Sequence, residues 1–274
     1  MKTWLITGCS SGIGHGIASA VLDSGECAVI TARNTDRLKA FEDRYGERVL
    51  PVAMDLSDKE SIAEAVALAK AHFGQIDVLV NNAGYGYRAA VEESTEEEIY
   101  RLFQINVFGP AVLMNLVLPE MRERKQGTIV NVASIGAVRA AICNGWYSAS
   151  KAALELISDA IYKEAGPLGV RVMIVEPGAF RTGFYDALHG TDLRISDYDD
   201  ISGKWRIENA VNKSDQPGDP IRAGKVIVDL VNSDVMPERL PLGSDAVKII
   251  SSELERRLDE VNAWQYISSK ADYD

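Results

Sequence analysis

The chain is poor in the residues on which stapled or metal-dependent proteins rely. Three cysteines, Cys9, Cys27 and Cys143, occur in 274 residues, too few and too odd in number for a disulfide framework. The three histidines, His15, His72 and His189, show no paired metal-ligand spacing, so no metal is expected. No run of 18 apolar residues is present, and an apolar strand pattern starts directly after Met1 and Lys2 without a signal-peptide core and cleavage site. A soluble, cytoplasmic protein with no membrane partner is the expectation. Positive charge is scarce as well: 29 Lys and Arg against 40 Asp and Glu leave a net charge of -11, which argues against nucleic acid, a partner that calls for clustered cations. Repeats and low-complexity segments are missing. What is there is 46% hydrophobic content, enough for a sizeable core, and α/β chains of this length often form one domain, so residues 1–274 are read as one.

Thr3-Trp4-Leu5-Ile6-Thr7 is a short apolar run that stops at Gly8, and Gly8-Cys9-Ser10-Ser11-Gly12-Ile13-Gly14 leads into a helical pattern at Ile17, Ala20 and Val21. Glycines at such a strand-to-helix turn let the backbone approach a pyrophosphate, and the helix N-terminus behind them offers free N–H groups and partial positive charge. A tight turn without a ligand satisfies the same pattern. Support for a dinucleotide comes about twenty residues on, where the strand at 27–31 ends in Ala32-Arg33 in place of the acid that binds the ribose of NAD. A guanidinium there suits a 2′-phosphate, and no carboxylate repels it, so NADP(H) is the expected cofactor, with Ser10 or Ser11 as a further hydroxyl donor.

The strand at 48–54 carries Pro51, which removes a ladder donor and so marks a sheet edge, the place of the third strand in a doubly wound sheet of order 3-2-1-4-5-6. Asp55 closes it, either as an acceptor for an adenine amino group or as a plain turn or cap residue. A helix at 58–73 follows, apolar at Ile62, Val66, Ala69 and Phe73. The strand at 76–80 ends in Asn81-Asn82-Ala83-Gly84, at the end where open α/β sheets bind ligands, although the same residues also make ordinary turns. A long helical region at 95–124, apolar at Ile99, Leu102, Phe103, Val107, Val112, Leu116 and Val117, is expected to break at Gly109-Pro110. It is more apolar than one buried face requires. The surplus suits a subunit contact, or else a thoroughly buried core helix. Asn106, polar in this apolar setting, needs a partner.

The strand at 127–132 delivers Ser134 to its carboxyl end, and thirteen residues later Tyr147 stands at the start of a helix running to about 165. Tyr147 and Lys151 are four residues apart and share a helix face. A free tyrosine titrates near ~10, and a neighbouring ammonium favours the phenolate, so the pair can serve as a proton shuttle. Tyr266 and Lys270 repeat the spacing and are read as an exposed helix face. The strand at 170–175 leads through Glu176-Pro177-Gly178 to Thr182 at the same sheet edge.

Taken together, Thr7-Gly8-x-x-x-Gly12-x-Gly14, Asn81-Asn82-Ala83-Gly84, Asn106, Ser134, Tyr147-x-x-x-Lys151 and Pro177-Gly178 resemble the short-chain dehydrogenase/reductase family over roughly residues 1–182. The resemblance implies an α/β fold with a doubly wound parallel sheet of the Rossmann type, strand order 3-2-1-4-5-6-7. It implies that Gly8, Ser10, Ser11, Gly12, Ile13 and Gly14 line the dinucleotide site, Asp55 and Leu56 the adenine, Asn82, Ala83 and Gly84 the adenosine ribose side, and Pro177, Gly178 and Thr182 the nicotinamide. Arg33 matches the position that marks NADP-preferring members. Hydride transfer between nicotinamide and a carbonyl or alcohol carbon follows, with Ser134 bonding the substrate oxygen and Tyr147 giving or taking its proton. Lys151 would lower the tyrosine pKa and hold the nicotinamide ribose, and Asn106 would hold a water linking Lys151 to solvent. Trp146 is bulkier than the residue often found before the tyrosine, and either narrows the pocket or packs against a neighbouring subunit.

The expected substrate is a hydroxyl/ketone pair, or an aldehyde and primary alcohol, on a mainly apolar molecule, by similarity to steroid- and retinol-type dehydrogenases. A 3-oxoacyl-carrier-protein ketoreductase and a non-catalytic NADP sensor or scaffold are the alternatives. A homo-oligomer, dimer or tetramer, is expected. Residues 183–219 are read as a mobile substrate lid with aromatics Phe184, Tyr185, Tyr198 and Trp205 and an excess of acids that would repel anionic substrates unless they face solvent. A helix at 221–231, a short strand at 240–242 and a helix from about Ser244 complete the chain.

Overall fold

The computed structural model describes residues 1–184, 188–205 and 215–273. Its main sheet contains β1 (Thr3–Ile6), β2 (Cys27–Ala32), β3 (Val49–Ala53), β4 (Val78–Asn81), β6 (Gly127–Val132), β7 (Val170–Pro177) and β9 (Arg239–Leu242). They run parallel in the order β3-β2-β1-β4-β6-β7-β9. Two short strands, β5 (Tyr87–Arg88) and β8 (His189–Gly190), pair with each other apart from it. Counted without those two, the order is the expected 3-2-1-4-5-6-7. Pro51 lies in β3 at the edge, opposite Ile30, where its missing N–H faces no neighbouring strand.

The inner strands read as unbroken apolar runs because both faces of the sheet are covered. Trp4, Ile6, Ala28, Ile30, Val78, Val80, Val130 and Val132 point to one side and pack on Ile17 and Val21 of α1 (Gly12–Asp23) and Ile227, Val228 and Val231 of α8 (Pro220–Asn232). Leu5, Val29, Leu79, Ile129 and Val172 point to the other. There they meet α3 (Lys59–Phe73), α5 (Gly109–Glu123) and α7 (Gly145–Ala165), in a core that includes Ile62, Val66, Leu113, Val117 and Leu154. The alternation along each strand decides which helix layer a residue serves.

Two expectations need correction. The helix at 95–124 does not break at Gly109-Pro110: α4 (Glu96–Phe103) runs through a π-helical turn, Gln104–Phe108, directly into α5. Pro110 falls in the first turn after the π segment, where a missing N–H costs least. Along this helix Leu102, Val107, Leu113, Met114, Val117 and Met121 are buried, Ile99, Phe103, Val112 and Leu116 are half-buried, and Tyr100 and Phe108 are exposed. Trp146 packs on Tyr87, Ala89 and Leu102 of its own chain and donates Nε1–H to Val91 O at 3.2 Å. β7 also extends past residue 175 to Pro177, which puts Glu176 inside the sheet, buried.

Candidate active site

The turn after β1 is built around one threonine and one asparagine. Thr7 Oγ1 accepts the N–H groups of Asn82 and Ala83, each at 2.9 Å. Asn82 Nδ2 donates to Thr7 O at 2.8 Å and to Gly8 O at 3.3 Å. The loop after β4 is thereby laced to the loop after β1. Gly8 and Gly12 take positive φ, 73° and 64°, and a Cβ on Gly14 would lie 2.3 Å from Asn82 Nδ2 and 2.4 Å from Gly8 O, so only glycine fits. Behind it, Ser11 caps α1 without a side-chain bond to the helix, and no acid stands in the first turn. The donors and partial positive charge of this end suit a pyrophosphate. Ala32 closes β2 and Arg33 follows it, exposed. Asp55 makes a turn instead of standing free: its Oδ1 accepts the Ser57 N–H at 2.8 Å and hydroxyl at 2.7 Å, and these bonds hold its pKa below the ordinary value. Leu56 is buried next to it.

The four expected catalytic residues converge. Ser134 caps the short helix α6 (Ile135–Val138), its Oγ accepting the Gly136 N–H at 3.0 Å. A Cβ placed on Gly136 would lie 3.3 Å from Ser134 Oγ, from Tyr147 Cε1 and from Ser148 Oγ, so the serine and the tyrosine ring flank one small gap. Lys151, one turn further along α7, is buried and donates to Val132 O at 2.8 Å. Burial pushes its pKa down to about 8, because a low-polarity setting disfavours the charged form. Asn106 sits in the π turn and is fully buried. Its Oδ1 accepts the Tyr85 N–H at 3.1 Å, and its Nδ2 donates to Tyr85 O and to Ser150 Oγ, both at 3.1 Å. Ser150 in turn donates to Tyr147 O at 2.7 Å. The asparagine thus ties the loop after β4 to the turn of α7 that carries the tyrosine. Gly84 lies between them: a Cβ there would meet Asn106 Oδ1 at 2.9 Å and Lys151 Nζ at 3.4 Å.

Residues 2–191 match the family described as short chain dehydrogenase. The chain belongs to the short-chain dehydrogenase/reductase family. Among relatives, it is 35% identical over 240 residues to the 3-ketodihydrosphingosine reductase of Bacteroides thetaiotaomicron, with 87% of each chain covered. A solved short-chain dehydrogenase from Streptomyces avermitilis is 38% identical, superposes with a TM-score of 0.91, and the match covers 99% of this chain and 100% of that one. An alcohol dehydrogenase from Thermococcus sibiricus, solved with 5-hydroxy-NADP, is 27% identical with a TM-score of 0.74, covering 88% of this chain and 95% of that one.

The loop after β7 is fixed by a residue that sequence reasoning passed over. Asp245, in the first turn of α9 (Ser244–Ser268), accepts the Ala179 N–H at 2.7 Å, and its carboxylate lies 2.3 Å from where a Gly178 Cβ would be. The acid next to Gly243-Ser244 at a helix start was the available signal. Thr182 reaches back across the site to Gly12, with Cγ2 3.2 Å from a Cβ built there. Asn131 was also missed. It bridges Asn81 Nδ2 (2.8 Å) and Ser158 Oγ (2.7 Å) and so joins the ends of β4 and β6 to α7.

Over the site, the Phe184 ring lies 5.8 Å from that of Tyr147, and Leu188 and Phe184 crowd against Gly86. The segment that follows is anchored to the body. β8 pairs with β5, the His189 ring meets the edge of Tyr85 at 4.8 Å, Tyr198 donates to Glu92 at 2.9 Å, and Arg88 lies over Trp205 at 5.1 Å. Glu93, fully buried, accepts the Ile195 N–H at 3.1 Å. Asp192, Asp197, Asp199, Asp200, Asp215 and Asp219 are all exposed, so these charges form a solvated outer face and supply no repulsion inside the site. Tyr185, Asp186 and Glu208 lie outside the described residues.

Proposed function

We propose that the protein is an NADP-dependent oxidoreductase that interconverts an alcohol and a carbonyl on a mainly apolar small molecule. What carries the reading is the placement of Ser134 and Tyr147 around one gap at Gly136, with the buried Lys151 a turn away and an uncapped, glycine-lined helix start on the same edge of the sheet. The glycine cradle fits a dinucleotide: Gly8, Ser10, Ser11, Gly12, Ile13 and Gly14 would hold the pyrophosphate, Asn82 to Gly84 the adjoining ribose, and Pro177, Gly178 and Thr182 the nicotinamide. When bound, the cofactor supplies or accepts the hydride. The protein's own part is the proton. Ser134 donates to the substrate oxygen where negative charge develops, and Tyr147 donates its phenolic proton during reduction and takes one up during oxidation. Lys151, held by Val132 O, keeps positive charge close to the phenol and favours the phenolate.

Arg33 and the small Ala32 favour the 2′-phosphate of NADP, since a fork of guanidinium donors matches it and no acid repels it. The apolar substrate class is supported by the walls described above, Phe184, Leu188, Tyr85 and Tyr147, and agrees with the sphingoid ketone in the name of one relative. Steady-state kinetics with a panel of ketones and alcohols test this. The wild type should favour NADPH over NADH by at least about tenfold in kcat/KM, the scale of one charge-assisted bond. Ala32→Asp with Arg33→Ala should reverse the order. A wild type that favours NADH overturns the cofactor assignment, and no turnover of any carbonyl would leave a nucleotide-binding scaffold.

A further inference from the structure

From Gly178 to Thr182, in the loop that leaves β7, every amide but one has an acceptor among the described residues. Gly178 N–H donates to Leu242 O at 3.0 Å, Ala179 N–H to Asp245 Oδ2 at 2.7 Å, Arg181 N–H to Gly218 O at 2.9 Å and Thr182 N–H to Phe180 O at 2.9 Å. The Phe180 N–H is the donor left over, and so the one this loop can offer to a ligand. Three of the four bonds are backbone to backbone. The fourth comes from a side chain in an expensive setting: Asp245 Oδ1 is buried with no hydrogen-bond partner among the described residues, and an unsatisfied buried acceptor costs ~1–3 kcal/mol. Both carboxylate oxygens lie 2.3 Å from a Cβ built on Gly178, and Oδ1 lies 2.8 Å from one built on Gly243, so a side chain at either position would push the carboxylate off the loop. Gly243 also takes a φ of 104°, open to glycine, as the chain turns from β9 into α9. The carboxylate does not serve its own helix. Asp219 caps α8 by accepting the Ile221 and Arg222 N–H groups at 2.8 and 3.3 Å, whereas α9 has no side-chain cap and Asp245 bonds a different element.

We propose that Asp245 is a positioning residue for hydride transfer: it fixes the loop from Gly178 to Thr182 so that a bound nicotinamide presents a single face to the gap between Ser134 and Tyr147. The proposal rests on the dinucleotide reading given above. Asp245 holds Ala179 on one side of Phe180, and Gly218 holds Arg181 on the other, which sets the direction of the free N–H between them. Reacting atoms must stand ~3–3.5 Å apart, and a displacement of ~1 Å costs ~10²-fold in rate. A charge-assisted bond at 2.7 Å is the strong kind that can hold a backbone to that tolerance. Asp245 touches neither Ser134 nor Tyr147, and acts through the loop alone.

The test compares the full chain as wild type, Asp245→Ala and Asp245→Asn. Calorimetric titration measures the affinity for NADPH and for adenosine 2′,5′-bisphosphate, a probe that carries the adenosine half alone. Asp245→Ala should weaken NADPH by about tenfold and leave the probe within about twofold, because only the far end of the site has moved. Its kcat should fall by about 10–100-fold, and deuterium should pass to the ketone from both (4R)- and (4S)-deuterated NADPH, where the wild type uses one. Asp245→Asn keeps an acceptor for the Ala179 N–H and should restore single-face transfer and most of the rate. Val247→Ser, exposed in the same turn of α9, should behave as wild type. Equal weakening of NADPH and probe would mean a general loss of structure and overturns the proposal. So does Asp245→Ala with wild-type kcat and single-face transfer. If the wild type favours NADH, adenosine 5′-diphosphate replaces the probe and the expected results stand. A wild type that binds neither dinucleotide nor either probe overturns the dinucleotide reading itself, and is told apart from failure of the present proposal because it appears before any substitution is made.

Discussion

Two tyrosine–lysine pairs with the same four-residue spacing lie in this chain, and they live in opposite surroundings. In α7, Lys151 is buried with Nζ on Val132 O and its pKa is lowered to about 8, while Tyr147 faces Ser134 across Gly136 and lies under Phe184. In α9, Tyr266 is 74% exposed and Lys270 lies over its ring at 4.3 Å. The second pair is a weak cation–π contact on a solvated face. Helical periodicity brings both pairs together equally well. Burial of the lysine, and a second hydroxyl aimed at the same gap, are what set the first pair apart as the proposed proton shuttle.

The sharpest break of this comparison is to remove each hydroxyl in turn. Tyr147→Phe should lower kcat by ~10²–10⁴-fold, the contribution of a positioned general acid, and leave dinucleotide affinity within about twofold. Tyr266→Phe should change neither. Fluorescence titration with NADPH alongside turnover separates the two effects, and comparable losses from both substitutions would remove Tyr147 from the shuttle.

The next difference is in pH. With its pKa near 8, Lys151 carries its charge below that value and loses it above, so kcat/KM should fall through an alkaline limb close to pH 8 under the mechanism proposed. Lys151→Arg keeps a cation at high pH and should remove the limb, whatever it does to the maximum rate. A profile flat to pH 10 in the wild type would show that the lysine charge does not matter to proton transfer.

The strand order, the glycine turn, the edge position of Pro51 and the meeting of Ser134 with Tyr147 were legible because each rests on a local pattern: an apolar run, a tight turn, a missing donor, a helical spacing. What escaped the sequence depends on burial that no local pattern reports. Glu93 stands in an acidic run, Glu92-Glu93 and Glu96-Glu97-Glu98, that reads as solvated, yet it is fully buried and bonded to the Ile195 and Ala90 N–H groups. Its carboxylate reaches back to the Ala90 N–H at 3.4 Å, but alanine has no side-chain acceptor, so no capping box marked the place. The helix from Glu96 to Glu123 looked broken because a glycine and a proline normally end a helix, and a π turn that shifts the hydrogen-bond register before Pro110 has no sequence signature. Glu176 looked like the first residue beyond a strand because its charge conflicted with a sheet interior.

Phe184 extends the comparison to the substrate. Its ring beside Tyr147 gives the pair in α7 an apolar neighbour. Phe184→Ala should reduce kcat/KM by about tenfold for bulky apolar ketones, ~1.5 kcal/mol of lost burial, and by under about twofold for small ones. Limited proteolysis of the 183–219 segment should be suppressed by NADP and substrate together. Losses equal across substrate sizes would take Phe184 out of substrate choice.

The smallest expected effect concerns two acids, one in α9 and one in β7 behind α7. In α9, Glu253 is held down to about 2 by its bonds to Arg256 and Arg257. Behind α7, Glu176 is pushed up to about 7, first by burial and then by the nearby Glu155, with Arg239 opposing. Arg239 is already engaged by Glu155 at 3.2 Å and Asp159 at 3.2 Å, so one guanidinium serves more carboxylates than it can neutralise, and the Glu176 carboxyl is the one held toward its protonated form. The sign follows from linkage. A carboxyl whose folded pKa lies above its unfolded value binds more protons in the native state between the two, so stability is full below about pH 4.5 and is lost as pH rises through about 7. Glu176→Gln keeps the shape and hydrogen-bonding capacity without the charge. It should therefore match wild type in Tm at pH 5 and exceed it at pH 8 by a few degrees, on the order of 2 kcal/mol for a chain of this size. Glu253→Gln, which removes the carboxylate that its two arginines engage, should not raise Tm at either pH. Thermal unfolding at the two pH values decides it: a Glu176→Gln protein no more stable than wild type at pH 8 would mean that the buried acid is ionised at little cost, and that burial alone does not separate the chemistry of α7 from that of α9.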